Sequence, residues 1–352
     1  MKAAVLLGNT NLCYMEVDEP RTGVGEVKVK VSACGICGSD VPRVFDGAAH
    51  GYPLILGHEF SGIVAEAGAD VAGIAVGDHV VTAPLVPCGT CEDCRRGDYA
   101  LCRHYSFIGS RQQGGFADYV VVPAANVVKI PETLSFLQAA TIEPATVALH
   151  ALRHIRYEAG KDVAVLGCGI IGLYMVQWAR IMGARSITAI GRGQQGLAAA
   201  ERMGADRIVS TQNTEAVQQL MAGAGFDYVL ECSGADVTMK LMLQVVKNKG
   251  VACMVGTPKK SLEFTVPQWE CINRRECWVT GSWMSYSAPF PGEEWATSIS
   301  CMSDGKLLCG EGLIGGVYPM SQAMQAFERV HNGEIKGRVL LTNGGLYEKS
   351  CH

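Results

Sequence analysis

The sequence predicts an α/β protein built from a β-rich part and a doubly wound parallel sheet, and three observations support this. The 352 residues are enough for two domains. Short apolar runs separated by Gly, Asp and Pro fill the first part of the chain. From about His150, strand patterns alternate with amphipathic helical patterns, which favours parallel strands joined by right-handed crossovers.

The first part contains a half-buried strand pattern, in which Val27, Val29 and Val31 alternate with Lys28 and Lys30. Further strand candidates follow at short intervals, in the order SGIVAEAG, GDHVVTA and FADYVVVPAANVVKI. Such spacing is typical of a compact β barrel or sandwich.

The second part opens with GKDVAVLGCGIIGLYMVQWARIMGARSITAI, which predicts a strand, a glycine turn, an amphipathic helix and another strand. The apolar strand candidates FDYVLEC, GVACMVG and WVTGSWM follow, and after Pro289 come a helix candidate, SQAMQAFERVHNG, and a strand, GRVLLTN. The apolar run from Val163 to Ala179 is marginal in length for a bilayer and contains three glycines, so a buried strand leading into a buried helix explains it better.

Composition predicts a soluble, cytoplasmic protein. The formal net charge of −4 gives no electrostatic basis for binding nucleic acid or an anionic membrane. The start, MKAAVLLGNTNLCYMEV, lacks the long apolar core and cleavage site of a signal peptide. Fifteen cysteines in such a chain favour free thiols and metal ligands over disulfides. The simplest interpretation, a small buried hydrophobe, applies to Cys13, Cys34, Cys168, Cys232, Cys253, Cys271, Cys277, Cys301, Cys309 and Cys351.

Four cysteines lie in one short polar stretch. Cys88, Cys91 and Cys94 are separated by two residues each, and Cys102 follows after seven. These gaps let the thiolates turn toward one centre and close a tetrahedron, which is the geometry of structural zinc. A coincidental cluster and an iron–sulfur cluster are the alternatives.

A second set of metal ligands is mixed. CGICGSD offers Cys37, GHEFSG offers His58 and Glu59, and IEPATVALH offers Glu143. A thiolate, an imidazole and a carboxylate leave a fourth position for water or substrate, as catalytic zinc needs. Each of these residues alone is more often structural.

The run Gly167, Cys168, Gly169, Ile170, Ile171, Gly172 is a G-x-G-x-x-G motif. It follows an apolar strand and opens a helix, the context that predicts a dinucleotide site. The glycines permit a tight turn and a close approach to pyrophosphate at the helix N-terminus.

The next strand, SITAI, ends at Ile190 and is followed by Gly191 and Arg192. NAD-dependent enzymes have an acidic residue here that binds the ribose 2′-hydroxyl. Without it, a 2′-phosphate meets no repulsion and Arg192 could pair with it, which favours NADP or the use of both cofactors. The alternative is a solvated arginine and retained NAD binding.

The order of these motifs resembles the zinc-dependent medium-chain dehydrogenases over essentially the whole chain. Within that family, GSDVPRVFDGAAHGYPLILGHEFSG, FIGSRQQGGFADY and GSWMSYSAPFPGEEW are similar to the galactitol-1-phosphate 5-dehydrogenase subfamily. The resemblance implies a GroES-like catalytic domain at residues 1–149 and 285–352, and a Rossmann nucleotide-binding domain at 150–284. It also implies a homodimer or homotetramer.

The resemblance implies roles at the mixed site. Cys37, His58 and Glu143 match the catalytic-zinc positions, and Glu59 matches a residue that bonds the zinc-bound water or replaces it as a ligand. Ser39 could accept the alcohol proton or pass it on. Pro42 stands where many relatives have a relay histidine.

The resemblance also implies contacts for cofactor and substrate. The backbones of Val255, Gly256 and Ser282 would line the nicotinamide pocket, and Trp283 and Tyr286 would wall the substrate side. Core packing is the alternative for the two aromatic residues.

Three further residues are predicted to bind substrate. Arg43 and Arg111 could clamp a phosphate bidentately, and His50 could be a third polar group. Structural arginines and a turn histidine are the alternatives.

The predicted activity is zinc-dependent, reversible oxidation of a secondary alcohol in a sugar alcohol, such as galactitol 1-phosphate, to a ketose, with hydride transfer to NAD(P). A dehydrogenase of an unphosphorylated polyol such as sorbitol, or of a vicinal diol, is the alternative within the family. A non-catalytic nicotinamide-binding scaffold or sensor is the alternative of another class.

Overall fold

The computed structural model describes residues 1–310 and 312–343, and these form two compact units. Unit 1 comprises Met1–Glu143, Tyr286–Asp304 and the chain from Ile314 on, and unit 2 comprises Pro144–Ser285 and Gly305–Leu313. The unit boundaries differ from the predicted domain boundaries by a few residues, and 305–313 falls in unit 2. The domain assignment itself stays a prediction, and Cys351 lies outside the described residues.

The strands are β1 (Lys2–Gly8), β2 (Asn11–Glu16), β3 (Glu26–Ile36), β4 (Leu54–Ile55), β5 (Glu59–Ala67), β6 (His79–Thr82), β7 (Leu85–Val86), β8 (Ser106–Phe107), β9 (Tyr119–Pro123), β10 (Val127–Lys129), β11 (Asp162–Leu166), β12 (Ser186–Gly191), β13 (Arg207–Ser210), β14 (Phe226–Glu231), β15 (Val246–Met254), β16 (Trp278–Gly281), β17 (Ile314–Pro319) and β18 (Arg338–Thr342).

The helices are α1 (Asp40–Phe45), α2 (Glu92–Arg96), α3 (Phe136–Ala139), α4 (Ile142–His154), α5 (Ile170–Ile181), α6 (Gln194–Arg202), α7 (Thr214–Ala222), α8 (Asp236–Val245), α9 (Val266–Arg274), α10 (Glu293–Ser303) and α11 (Ala323–His331). Short 3₁₀ turns occur at Tyr99–Leu101, Ala124–Asn126 and Met320–Gln322.

Unit 1 is built around a sheet with the order β10-β6-β5-β3-β18-β17, in which β9 also pairs with β3. A second sheet has the order β2-β1-β4, and β7 pairs with β8. The main sheet is antiparallel except for the parallel pair β17–β18. The register places Gly35 of β3 opposite Glu59 of β5 and Leu340 of β18, so the starts of β5 and β18 meet at the end of β3.

The predicted alternation in β3 is correct for the valines, which are buried, and wrong for one lysine. Lys28 is only 9% exposed although Lys30 is exposed. Its ammonium lies 2.9 Å from Glu19 and 2.8 Å from Glu66, so two carboxylates compensate the buried charge.

Unit 2 contains a parallel sheet with the order β13-β12-β11-β14-β15-β16. This is the doubly wound order, with a reversal between β11 and β14, and the predicted α/β fold class is confirmed. Strand β11 and helix α5 are largely buried, as predicted for the apolar run at 163–179. No helix in the described part of the chain is long and apolar enough to cross a membrane.

Candidate active site and metal centres

Three of the predicted metal ligands converge at the end of β3. Cys37 directly follows this strand, His58 precedes β5, and Glu59 begins β5. One ligand atom from each residue lies within 4.8 Å of those of the other two. The strand register explains the convergence, because Gly35 pairs with Glu59. Sulfur, nitrogen and oxygen donors at this separation suit a zinc ion.

The site is buried and, in the described part of the chain, contains polar atoms without hydrogen-bond partners. His58 is 4% exposed and Glu59 is 1% exposed. Neither Nδ1 of His58 nor either carboxylate oxygen of Glu59 has a hydrogen-bond partner in the described chain. The guanidinium Nε of Arg338 lies 2.9 Å from Glu59 Oε2, close enough for an ion pair but without hydrogen-bond geometry. Buried polar atoms left in this way fit a bound cation.

Glu143, at the start of α4, lies outside this three-residue cluster but interacts with it electrostatically. Burial raises the pKa of Glu143 to about 7, and the neighbouring Glu59 carboxylate adds to the increase. Burial likewise raises the pKa of Glu59 to about 8, against the opposing charge of Arg338. Both groups are therefore costly to ionise unless a cation compensates them.

Asp40 is a residue at this site that the sequence reasoning missed, although CGSD was noted. Its side chain is fully buried, and its Oδ2 accepts a hydrogen bond from the Cys37 N–H at 3.1 Å. Its Oδ1 lies 3.6 Å from His58 Nδ1. Asp40 therefore holds the backbone of one predicted ligand and faces the ring of another.

Arg43 is engaged with the start of α1. Its Nη1 donates to the backbone oxygen of Ser39 at 2.8 Å and to the Ser39 hydroxyl at 2.9 Å, and it lies 3.1 Å from Asp40 Oδ1. One guanidinium nitrogen thus fixes the hydroxyl of the predicted relay residue.

Arg111 and His50 are the other two residues predicted, with Arg43, to bind the substrate phosphate. The Arg111 guanidinium lies 4.1 Å from the centre of the Tyr105 ring, and its Nη1 donates to the Tyr105 carbonyl at 3.1 Å. Partial burial, followed by the charges of Arg111 and Arg43, lowers the pKa of His50. The three residues therefore share one electrostatic environment.

The two predicted substrate-side aromatic residues differ in placement. Tyr286 is 3% exposed, its hydroxyl accepts a hydrogen bond from the Leu85 N–H at 3.0 Å, and burial raises its pKa well above the usual range. It stacks with Phe290 and Trp295. This placement fits core packing, the alternative stated for Tyr286. Trp283, in contrast, is 52% exposed.

The sulfur atoms of Cys88, Cys91, Cys94 and Cys102 lie within 4.8 Å of one another. Backbone N–H groups point at three of them: Cys91 N–H at Cys88, Cys94 N–H at Cys91, and Cys88 N–H at Cys102. The N–H and hydroxyl of Thr90 lower the pKa of the Cys88 thiol, whereas burial raises that of Cys94. Four converging sulfurs with N–H donors form a closed site with the geometry of structural zinc.

The glycine motif forms the predicted turn. Gly167 has φ +103°, and a Cβ on Gly172 would lie 1.7 Å from the Gly167 carbonyl oxygen, so a larger residue cannot occupy that position without moving the loop. Gly169 faces open space and precedes Ile170, the first residue of α5. Ile170 and Ile171 thus form the first turn of the helix, whose N-terminus is available to an anion.

The other predicted cofactor residues lie at the same edge of the sheet. Gly191 ends β12 and is buried, and a Cβ there would lie 2.9 Å from the Cys168 sulfur. Arg192, the next residue, is exposed. A cavity of ≈ 380 Å³ after β15 and β16 has Val255, Gly256, Ser282 and Trp283 among its lining residues, together with Met239, Met254, Thr257, Pro258, Leu262 and Gly281.

Two protein families match separate parts of the chain. The alcohol dehydrogenase GroES-like domain family matches residues 23–132, and the zinc-binding dehydrogenase family matches residues 171–304. Galactitol 1-phosphate 5-dehydrogenase of Escherichia coli (strain K12) is 39% identical over 319 residues, covering 90% of this chain and 92% of the relative. Sorbitol dehydrogenase of Halalkalibacterium halodurans is 33% identical, covering 97% and 99%.

Solved structures agree. The crystal structure of galactitol-1-phosphate dehydrogenase from Escherichia coli matches with a TM-score of 0.93 at 36% identity, covering 97% of this chain and 100% of that one. A protein from Sinorhizobium meliloti 1021 assigned as a zinc-binding dehydrogenase and bound to NADP matches with a TM-score of 0.88 at 31% identity, covering 97% and 98%. The chain therefore belongs to the zinc-dependent medium-chain dehydrogenases, oxidoreductases for which zinc and NAD(P) are characteristic cofactors.

Proposed function

We propose that this protein oxidises a secondary alcohol of a phosphorylated sugar alcohol, such as galactitol 1-phosphate, to the corresponding ketose phosphate, and that the reaction is reversible. The observation that carries the proposal is the proximity of an open metal-ligand cluster to a cationic group. Arg43 contacts both Ser39 and Asp40 beside Cys37 and His58, and its charge also reaches His50.

The donor set at Cys37, His58 and Glu59, with Glu143 nearby, fits zinc because His58 Nδ1 and both Glu59 carboxylate oxygens lack hydrogen-bond partners in the described chain. When bound there, zinc would supply a Lewis acid that makes the substrate hydroxyl more acidic. Cys37, His58 and Glu143 are the proposed ligands, and Glu59 is proposed to bond water or to replace it as a ligand. Cys88, Cys91, Cys94 and Cys102 are proposed to hold a second, structural zinc.

Ser39 is the proposed first acceptor of the substrate proton. Because Arg43 donates to its oxygen, the Ser39 hydroxyl is oriented and made a better donor of its own proton. Ser39 then passes a proton onward as it receives one. Pro42 supplies no proton-carrying side chain, so the proposed path onward from Ser39 runs through the cofactor ribose, Glu59 or water.

The phosphate of the substrate is proposed to bind Arg43, Arg111 and His50. Nη1 of Arg43 is already engaged, which leaves its Nε and Nη2 edge for an anion. The stacking of Arg111 on Tyr105 holds its guanidinium plane in place. The identity to galactitol 1-phosphate 5-dehydrogenase supports this substrate class.

An unphosphorylated polyol is the second candidate, favoured by one observation. Arg43 makes three contacts with Ser39 and Asp40, which are enough to explain an arginine at this position without a phosphate. The match to sorbitol dehydrogenase supports this alternative.

For the cofactor, NADP is proposed to bind at least as well as NAD. The absence of a carboxylate at Gly191 and the exposed Arg192 support a site for a 2′-phosphate. The match to a dehydrogenase bound to NADP is consistent with this choice.

A homo-oligomer in the cytoplasm is the proposed assembly and location. Strand β16 is an edge of the parallel sheet, and its Trp278 is 75% exposed. An exposed apolar edge of this kind favours pairing with a second copy. The fifteen cysteines of the sequence suit a reducing compartment.

Initial rates on galactitol 1-phosphate, galactitol and sorbitol, each with NAD and NADP, test the proposal. A preference for the phosphorylated substrate is expected, and Arg111→Gln should raise its KM on the order of tenfold while leaving the KM for galactitol unchanged. Arg274→Gln, which removes an exposed arginine paired with Glu270 in α9, is the matched control. Equal KM values for galactitol and its phosphate would contradict the proposal, as would an unchanged KM in Arg111→Gln.

A further inference from the structure

Glu231, the last residue of β14, has a fully buried side chain to which the proposed function gives no role. Its Oε1 accepts hydrogen bonds from the N–H of Ser233 at 3.0 Å, the hydroxyl of Ser233 at 2.6 Å and the hydroxyl of Thr238 at 2.8 Å. Its Oε2 accepts from the Gly234 N–H at 3.0 Å. The N–H groups of Ser233 and Gly234 can only donate, as an ionised carboxylate requires, whereas the two hydroxyls also lie 2.6 Å from each other.

No lysine, arginine or histidine of the described residues forms an ion pair with Glu231. Its hydrogen bonds come only from neutral N–H and O–H groups, so the buried negative charge is solvated by dipoles and not neutralised. A charge of this kind acts on its surroundings over several ångströms.

The position of Glu231 in the sheet places this charge beneath one half of a dinucleotide. The order of the strands reverses between β11 and β14, and a dinucleotide crosses the sheet at such a reversal. The pyrophosphate loop after β11 lies at this point, and Gly191 and Arg192 after β12 belong to the ribose of the adenosine half. The nicotinamide half therefore lies over β14 and β15.

The carboxylate contacts the backbone that lines the cavity on this side. A Cβ on Gly256 would lie 2.7 Å from Glu231 Oε2 and 2.3 Å from the Gly234 nitrogen. The backbone oxygen of Glu231 also accepts hydrogen bonds from Val255 N–H at 2.8 Å and Gly256 N–H at 2.9 Å. Gly256 therefore lies beside the buried carboxylate and also lines the ≈ 380 Å³ cavity, together with Trp283.

We propose that Glu231 is a positioning residue whose buried charge makes the oxidised nicotinamide cofactor bind more tightly relative to the reduced one. The oxidised ring is cationic and the reduced ring is neutral, so a fixed anion nearby favours the oxidised form. For a separation of about 8 Å and an effective dielectric constant of about 20, the interaction shifts the ratio of the two dissociation constants roughly thirtyfold. This inference rests on the nicotinamide site of the proposed function.

The test is to measure the dissociation constants of the oxidised and reduced cofactors, for both the NAD and the NADP pair, on the full chain. Glu231→Gln keeps the shape of the side chain and removes the charge. The ratio of the oxidised to the reduced dissociation constant is expected to rise roughly thirtyfold in this variant. If Glu231→Gln does not fold, the same dissociation constants are measured on Glu231→Ser, a smaller neutral replacement that admits water.

Ser233→Ala is the matched control, because it removes the shortest hydrogen bond to Glu231 but keeps the charge. It should weaken both redox forms by the same factor and leave their ratio unchanged. If Glu231→Gln also weakens both forms equally, or changes neither, Glu231 only supports the loop and the inference is wrong. If the unaltered chain binds no nicotinamide cofactor, the proposed function itself fails.

Discussion

Asp162, at the start of β11, anchors the edge of the sheet opposite the glycine loop, and Asp162→Asn is expected to destabilise unit 2. Its Oδ1 accepts hydrogen bonds from Arg185 Nε at 2.8 Å and from the Ser186 hydroxyl at 2.8 Å. Its Oδ2 lies against Arg185 Nη2 and 3.3 Å from Lys247 Nζ. The hydrogen bonds from Arg185 are the main reason why the pKa of Asp162 is held below its usual range.

Hydrogen bonds to a charged group contribute about 1.5–3 kcal/mol each. The Asp162 side chain is 20% exposed but that of Arg185 is 61% exposed, so solvent screening reduces the stabilisation that their ion pair contributes. The expected loss at pH 7 is about 2 kcal/mol, which corresponds to a fall in Tm of about 4–8 °C. Calorimetry measures this fall in Tm. The control is Glu270→Gln, which removes a carboxylate from an exposed pair with Arg274 and should shift Tm little.

The effect also has a defined pH dependence. A carboxyl whose pKa is lowered by folding stabilises the protein above the pKa of the unfolded chain, about 3.9, and loses this contribution as the pH falls toward the folded value. The Tm gap between the unaltered chain and Asp162→Asn should therefore be roughly a third smaller at pH 3.5 than at pH 7. Both proteins lose zinc alike at acid pH, so that effect cancels. A Tm gap that is absent at pH 7, or constant down to pH 3.5, would contradict stabilisation of unit 2 by the Asp162 carboxylate.

Three other substitutions test separate parts of the account. Gly172→Ala places a methyl group 1.7 Å from the Gly167 carbonyl oxygen, so the loop must shift. Cofactor titration should then show at least about tenfold weaker binding. An unchanged affinity would contradict cofactor binding at this loop. Ser39→Ala removes the proposed relay hydroxyl and should lower kcat by about 10²-fold or more with little change in KM, whereas a normal kcat would exclude the relay. Cys91→Ser removes one sulfur of the four-cysteine site and should lower Tm and release one zinc per chain. Calorimetry and metal analysis measure the two changes, and an unchanged zinc content would contradict a zinc at this site.

The sequence was sufficient for the features that depend on local spacing. Alternating valines in β3 and the apolar run at 163–179 predicted strands and a helix because periodicity reports which face is buried. The four-cysteine stretch predicted a convergent sulfur site, because gaps of two residues return the chain to one centre. Only the first four residues of the strand candidate WVTGSWM form β16. Its apolar character did not mean burial, since Trp278 lies on an edge strand and is 75% exposed.

Features that depend on distant pairings were not predictable. Arg338 donates to the Ile36 carbonyl across 302 positions of the chain, and nothing near either residue signals that contact. The burial of Lys28 depends on Glu19 and Glu66, which only the folded sheet brings together. The sequence around Glu231 indicates only the end of a strand, because its proposed role depends on Gly256, in the loop after β15.

Zinc-dependent catalysis at Cys37, His58 and Glu143 is tested most directly by the zinc content and turnover of the purified chain and of Cys37→Ser. We expect two zinc ions per chain in the unaltered protein. In Cys37→Ser we expect one ion, an unchanged Tm and no turnover, because this substitution alters only the open site. Turnover that survives in Cys37→Ser, or the same zinc content in both proteins, would contradict a zinc-dependent reaction at Cys37, His58 and Glu143.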